Sequence, residues 1–154
     1  MKYPLIYDTW NDVELASIQK VVRSNRFSMF EEVSTFEAEF ANFFNSKHAV
    51  CVNSGSSANM IAIAAMFFHS ELNRGDEIIV PGFGYMAAAN LAIQMGLKPI
   101  FADVDLDSFC VTAENIEKKI SKKTKLIVIT HTYGNVCDIK PIIKLSKKRK
   151  IPLL

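Results

Sequence analysis

The chain lacks the features that mark several large classes of protein. Its three cysteines, Cys51, Cys110 and Cys137, lie in or beside apolar runs and show no paired spacing, which argues against a disulfide framework or a zinc site. Their thiols are expected to be reduced and buried, and no metal ligand set is assigned. No charged-then-apolar leader opens the sequence, and the longest apolar run, Met60 to Phe68, is far too short to span a bilayer. A cytoplasmic location with no membrane partner is the expectation. Repeats, low-complexity tracts and long linkers are also missing. Neither sign of charge dominates: 18 Lys and Arg stand against 16 Asp and Glu. The balance is uneven along the chain, since residues 113 to 154 hold eleven of the basic residues and only three acids. Yet Lys118, Lys119, Lys122 and Lys123, then Lys144, Lys147, Lys148 and Lys150, fit solvated helix faces and ends, with no interleaved aromatics to stack bases. Nucleic acid is therefore not an expected partner.

What is present is a 154-residue chain with 49% hydrophobic content, enough for a compact core. Asp12 to Ser24 carries Leu15, Ile18, Val21 and Val22 on one helical face. Glu32 to Phe44 carries Val33, Phe36, Phe40, Phe43 and Phe44 at helical spacing. Both are expected to be amphipathic helices of an N-terminal segment over residues 1–45. From residue 46 to 154 the pattern alternates: strand 48–52, helix 56–69, strand 77–80, helix 85–95, strand 99–103, helix 112–120, strand 125–130, helix 138–149, and a new strand from Ile151. Short apolar strands separated by helices predict an α/β fold, a mostly parallel sheet between two helical layers, with ligand sites at the carboxyl ends of the strands.

Several features fall at those ends. Residues His48 to Asn59 read as a strand that stops at Asn53 and turns through Gly55 into a helix beginning Ser56-Ser57-Ala58. The first amides of a helix have no intrahelical partner and lie at the positive end of its dipole, so this bend is an anion cup that needs no lysine. Strand 77–80 ends in Pro81-Gly82-Phe83-Gly84-Tyr85, whose aromatic is either a plate for a planar ring or a core residue at a helix start. Asp103-Val104-Asp105-Leu106-Asp107-Ser108 offers oxygen ligands, but no glycine is placed as in a calcium loop, which favours a solvated turn leading to an N-cap at Thr112. Strand 125–130 empties into His131-Thr132-Tyr133-Gly134-Asn135, where the imidazole is either structural or chemical.

Common motifs are excluded. Gly82-Phe83-Gly84 lacks the third glycine and the acid of a dinucleotide fingerprint, and the chain has no Gly-Lys-Ser or Gly-Lys-Thr for a Walker phosphate loop. Ser54-Gly55-Ser56-Ser57-Ala58 is no nucleophile elbow. A phosphate cup beside an aromatic suits a phosphorylated planar cofactor, for which pyridoxal 5'-phosphate is the natural candidate.

Four ordered blocks then carry a resemblance: Val52-Asn53-Ser54-Gly55-Ser56-Ser57-Ala58-Asn59, Arg74-Gly75-Asp76-Glu77-Ile78-Ile79-Val80-Pro81, Phe101-Ala102-Asp103-Val104-Asp105 and His131-Thr132-Tyr133-Gly134-Asn135. From about Asp12 to Leu154 the chain resembles the DegT/DnrJ/StrS sugar aminotransferases. These are pyridoxal-phosphate enzymes of the aspartate aminotransferase fold (fold type I) that act on nucleotide-linked keto sugars. The resemblance implies a cofactor phosphate held by Gly55, Ser56 and Ser57, chiefly through backbone amides, with Tyr85 over the pyridine ring and His131 and Asn135 lining the cavity. It implies a homodimer, and amino transfer from a donor such as glutamate to a keto-deoxysugar. A sugar 3-dehydrase, in which histidine replaces the family's lysine, is the alternative towards which Gly55-Ser56-Ser57-Ala58-Asn59 and His131-Thr132-x-Gly134-Asn135 lean. A non-catalytic remnant or interaction module is a third reading. Where the family usually has a glycine, between Arg26 and Val33, this chain has Phe30. The family's aspartate for the pyridine nitrogen and its Schiff-base lysine fall after the position of Leu154. No catalytic residue is therefore assigned, and these 154 residues alone are expected to be inactive, with the sheet edge at Leu153-Leu154 left uncovered.

Overall fold

The computed structural model describes residues 7–69 and 71–154, which fall in two compact units, Met1–Cys51 and Val52–Leu154. Residues 1–6 of the expected N-terminal segment lie outside the described residues.

The first unit contains helices α1 (Asp12–Ser24) and α2 (Glu31–Phe43). A capping box starts α1: Asn11 Oδ1 accepts the Val13 amide at 2.8 Å and Glu14 Oε2 accepts the Asn11 amide at 2.9 Å. Asn25, left-handed at φ 54°, ends it. Phe30 precedes α2 at φ −116°, a backbone that needs no glycine. Lys20 pairs with Glu32 at 2.6 Å, and Phe36, Phe40 and Phe44 stack in sequence with centroids 5.5 and 4.7 Å apart. The apolar stripes expected of both helices are present, but only Ala41 is buried on α2 and no residue is buried on α1. Two helices alone cannot cover two such faces.

The second unit is a parallel sheet of β1 (Glu77–Pro81), β2 (Lys98–Ala102) and β3 (Thr124–Ile127) in the order β2-β1-β3, between α3 (Gly55–Phe68) and α4 (Ala87–Gln94) on one face and α5 (Ala113–Glu117) and α6 (Ile139–Arg149) on the other. Alternation along β1 fixes the two cores. Ile78 and Val80 pack with Ile63, Leu91, Ala92 and Leu126, whereas Ile79 packs with Ala102, Ile116, Ile127 and Ile142. Each of these isoleucines is fully buried, contributing about 1.5–3 kcal/mol. The chain therefore has a three-layer α/β/α arrangement, as expected.

Three elements differ most from expectation, one of them the strand expected over 125–130, which ends at Ile127. Residues 48–52 form no strand, and Val50 is 68% exposed. A strand needs a neighbour to satisfy its amides and carbonyls, and none of β1, β2 and β3 pairs with it among the described residues. The helix expected over 112–120 closes after Glu117, with Thr112 Oγ1 capping it through the Asn115 amide at 3.2 Å. At the other end, Ile151–Leu154 does start to pair beside β3. The Ile127 amide donates to Pro152 O at 3.0 Å, Ile129 to Leu154 O at 2.9 Å, and Leu154 to Ile127 O at 2.9 Å.

Candidate functional site

Helix α3 begins with a serine cap. Ser54 is extended, and its Oγ accepts the Ser57 amide at 3.1 Å. Ser57 Oγ donates to Asn53 Oδ1 at 2.6 Å and lies 3.1 Å from Ser54 Oγ. The Ser57 amide, expected to face an anion, is thus held by the cap. The Gly55 and Ser56 amides have no partner among the described residues and are left at the positive end of a 14-residue helix. A methyl group placed on Gly55 would meet nothing within 4 Å, so the space beside that residue is open, while Ser56 is half-buried. The sequence signal for this role of Ser54 is a serine just ahead of a helical run.

Tyr85 follows a turn that glycine makes possible. The Gly82 amide donates to Ala102 O at 2.8 Å, and a β-carbon on Gly82 would come within 3.2 Å of that same oxygen. Gly84 sits at φ 133°. The Tyr85 ring is 86% exposed, so of its two sequence readings the core aromatic does not apply to this chain. The hollow beneath it, about 40 Å³ and lined by Pro81, Phe83, Met86, Phe101 and Thr130 among others, does not include Ser54 to Ser57. That volume is of the order of a single water. The cup and the plate are therefore both open surface features, and the residues described do not enclose a ligand between them.

The loop after β3 is fixed by its own polar groups. The Cys137 amide donates to His131 Nδ1 at 3.1 Å, Cys137 Sγ to Thr130 O at 3.2 Å, and the Asn135 amide to Thr132 O at 2.9 Å. Two further bonds tie it to the loop after β2: Asn135 Nδ2 to Ser108 O at 3.1 Å and Cys110 Sγ to Asn135 O at 3.4 Å. Asn135 thus holds two loops together, while His131 is exposed. Three aromatics from three post-strand loops meet at this edge, Phe83, Phe109 and Tyr133, with centroids 5.3 to 6.5 Å apart. Phe109 and Tyr133 are left-handed, at φ 56° and 55°, which costs about 1 kcal/mol or more each. Nothing in the sequence marks that backbone geometry.

Asp105 is spent on its own turn. Its Oδ1 accepts the Ser108 amide and hydroxyl, both at 2.9 Å, and the Asp107 amide at 3.2 Å. The Ser108 amide and hydroxyl bonds, followed by that from Asp107, hold this carboxyl below its ordinary range. Cys137, buried beside Cys110, is pushed up to about 11, first by burial and then by the neighbouring Cys110. Lys98 and Lys125 lie at the starts of β2 and β3, the amino end of the parallel sheet. No helix among the described residues is long and apolar enough to cross a membrane.

A parallel sheet between helical layers, with glycine turns at its carboxyl edge, defines an α/β domain of the kind that binds ligands at that edge. The chain belongs to the DegT/DnrJ/EryC1/StrS aminotransferase family, whose model matches residues 9–154. It is 36% identical over its whole length to GDP-4-keto-6-deoxy-D-mannose 3-dehydratase of Yersinia pseudotuberculosis, covering 40% of that protein. To GDP-perosamine synthase of Vibrio cholerae it is 38% identical over 122 residues, which cover 79% of this chain and 32% of that protein. Among solved structures, the E. coli GDP-4-keto-6-deoxy-D-mannose-3-dehydratase with bound hydrated PLP superposes with a TM-score of 0.92 at 38% identity, over 99% of this chain and 40% of that one. The chain spans about two fifths of the length of such relatives.

Proposed function

We propose that this chain is the N-terminal part of a pyridoxal-phosphate-dependent, homodimeric enzyme acting on a nucleotide-linked 4-keto-6-deoxysugar. The observation that carries the reading is the start of α3, where the Gly55 and Ser56 amides have no partner among the described residues and the space beside Gly55 is open, as a bound phosphate would need. The cap network of Asn53, Ser54 and Ser57 holds those amides in place. Tyr85 supplies an exposed ring for stacking on a planar cofactor, and His131 and Asn135 belong to the same carboxyl edge. When bound, pyridoxal phosphate supplies an electron sink for chemistry at carbons next to an amine.

The residues present bind and orient; they include no assigned proton-transfer group. In the whole enzyme, 3-dehydration of the sugar is the leading reaction, because the dehydratase relatives match the full chain and the His131-Thr132-x-Gly134-Asn135 pattern leans the same way. Amino transfer from glutamate is the second reading, favoured by the perosamine synthase likeness. An assay with glutamate labelled at nitrogen, pyridoxal phosphate and a GDP-linked 4-keto-6-deoxysugar separates them. Dehydration removes the C3 hydroxyl as water and leaves no nitrogen on the sugar, whereas transfer leaves labelled nitrogen on it. The 154 residues alone are expected to give neither product, and borohydride reduction in the presence of pyridoxal phosphate is expected to give no stoichiometric adduct at any one lysine. A single fully modified lysine contradicts that reading.

A further inference from the structure

The loop from Thr130 to Cys137 contains a constraint on chemistry that the sequence does not show. A backbone N–H can only donate, so the Cys137 amide, 3.1 Å from His131 Nδ1, requires that nitrogen to be the acceptor. Neutral imidazole has one donor and one acceptor; with Nδ1 accepting, the proton is on Nε2. A ring protonated at both nitrogens would set N–H against N–H and lose the bond.

The rest of the loop makes that contact hard to avoid. Cys137 is 3% exposed and its thiol donates to Thr130 O, the carbonyl just before His131. Residues 130 and 131 are therefore both joined to residue 137, one through the side chain of Cys137 and one through its amide. Asn135, between them, is tied to the loop after β2 through Ser108 O and the Cys110 thiol. The ring is held at Nδ1, and His131 as a residue is exposed.

We infer that the Cys137 amide is the positioning group that fixes His131 in the Nε2–H tautomer, so that His131 offers the carboxyl edge of the sheet a hydrogen-bond donor for an oxygen ligand, whether carbonyl, hydroxyl or phosphoryl, and not a proton-accepting base. This assignment stands on the loop geometry and does not depend on the cofactor reading; either can fail alone.

The test is a long-range proton-nitrogen correlation spectrum of the isotopically labelled chain at neutral pH, with the His131 signals identified by their loss in His131→Gln. Nδ1 is expected at the downfield, pyridine-type position and Nε2 at the upfield, pyrrole-type position. Cys137→Ser, which keeps the backbone amide, is expected to leave both unchanged. Hydrogen exchange at the Cys137 amide is the second readout: slow in the parent and in His131→Asn, whose Oδ1 stands where Nδ1 does, and at least tenfold faster in His131→Ala. A pyrrole-type Nδ1, an averaged pair of nitrogen shifts, or exchange at residue 137 that is indifferent to His131→Ala overturns the inference. The spectrum of the unaltered chain decides the tautomer even where a variant does not fold.

Discussion

At the residue scale, the two buried thiols show how position sets reactivity. Cys110 and Cys137 are 2% and 3% exposed, whereas Cys51 is only partly covered. The thiolate is the reactive form, and burial holds the Cys137 thiol up at about 11, well above its ordinary 9.0. Alkylation of the folded chain at pH 8 is expected to modify Cys51 first, with Cys110 and Cys137 reacting only on unfolding; mass mapping of the modified cysteines checks this. The same shift has a sign in stability. The unfolded chain loses the Cys137 proton more readily than the folded one, so the contribution is fully present below about pH 9 and is lost as pH rises towards 11. Denaturant midpoints that rise across that window contradict the assignment. The sequence made burial of these cysteines legible through their apolar surroundings, and Cys51 departs from it because residues 48–52 find no strand partner.

At the element scale, most of the second unit was legible. Runs such as Ile78-Ile79-Val80 and Leu126-Ile127-Val128, bounded by turn residues, have the length and branching of buried strands, and the structure pairs them in parallel. The strand at 48–52 has the same local character, yet pairing is a tertiary property that composition cannot report. Left-handed residues were equally hidden. Lys150 ends α6 at φ 53°, with its amide on Lys147 O at 3.3 Å and that of Ile151 on Ser146 O at 3.1 Å, a helix end usually given to glycine. Lys150→Gly is expected to raise stability by about 1 kcal/mol by relieving the β-carbon clash. Chemical denaturation of parent and variant measures it, and a loss of stability would show that the lysine stem contributes more by packing than the strain costs.

At the scale of the whole molecule, the chain has the local signals expected of a binding site, but no hollow joins Ser54 to Ser57 with Tyr85 among the described residues. Val13, Leu15, Ile18 and Val22 on α1 and the phenylalanines of α2 are exposed, as are Val50 and Tyr85. Such surface on a chain that spans two fifths of its relatives is what a partial domain should display. The sequence carried the cup because capped helix starts have a local signature. It could not carry an enclosed cavity, since the hollow beneath Tyr85 excludes Ser54 to Ser57. The central claim is that the Gly55 and Ser56 amides receive the phosphate of pyridoxal phosphate, and amide spectra of the labelled chain titrated with that cofactor test it most directly. Saturable shifts are expected at Gly55 and Ser56, with ring-current changes at Tyr85, and Gly55→Ala, whose methyl has room in the fold, is expected to weaken them at least tenfold without unfolding the chain. Shifts confined to the basic cleft around Lys122, Lys125 and Lys150, or binding unaffected by Gly55→Ala, contradict the account.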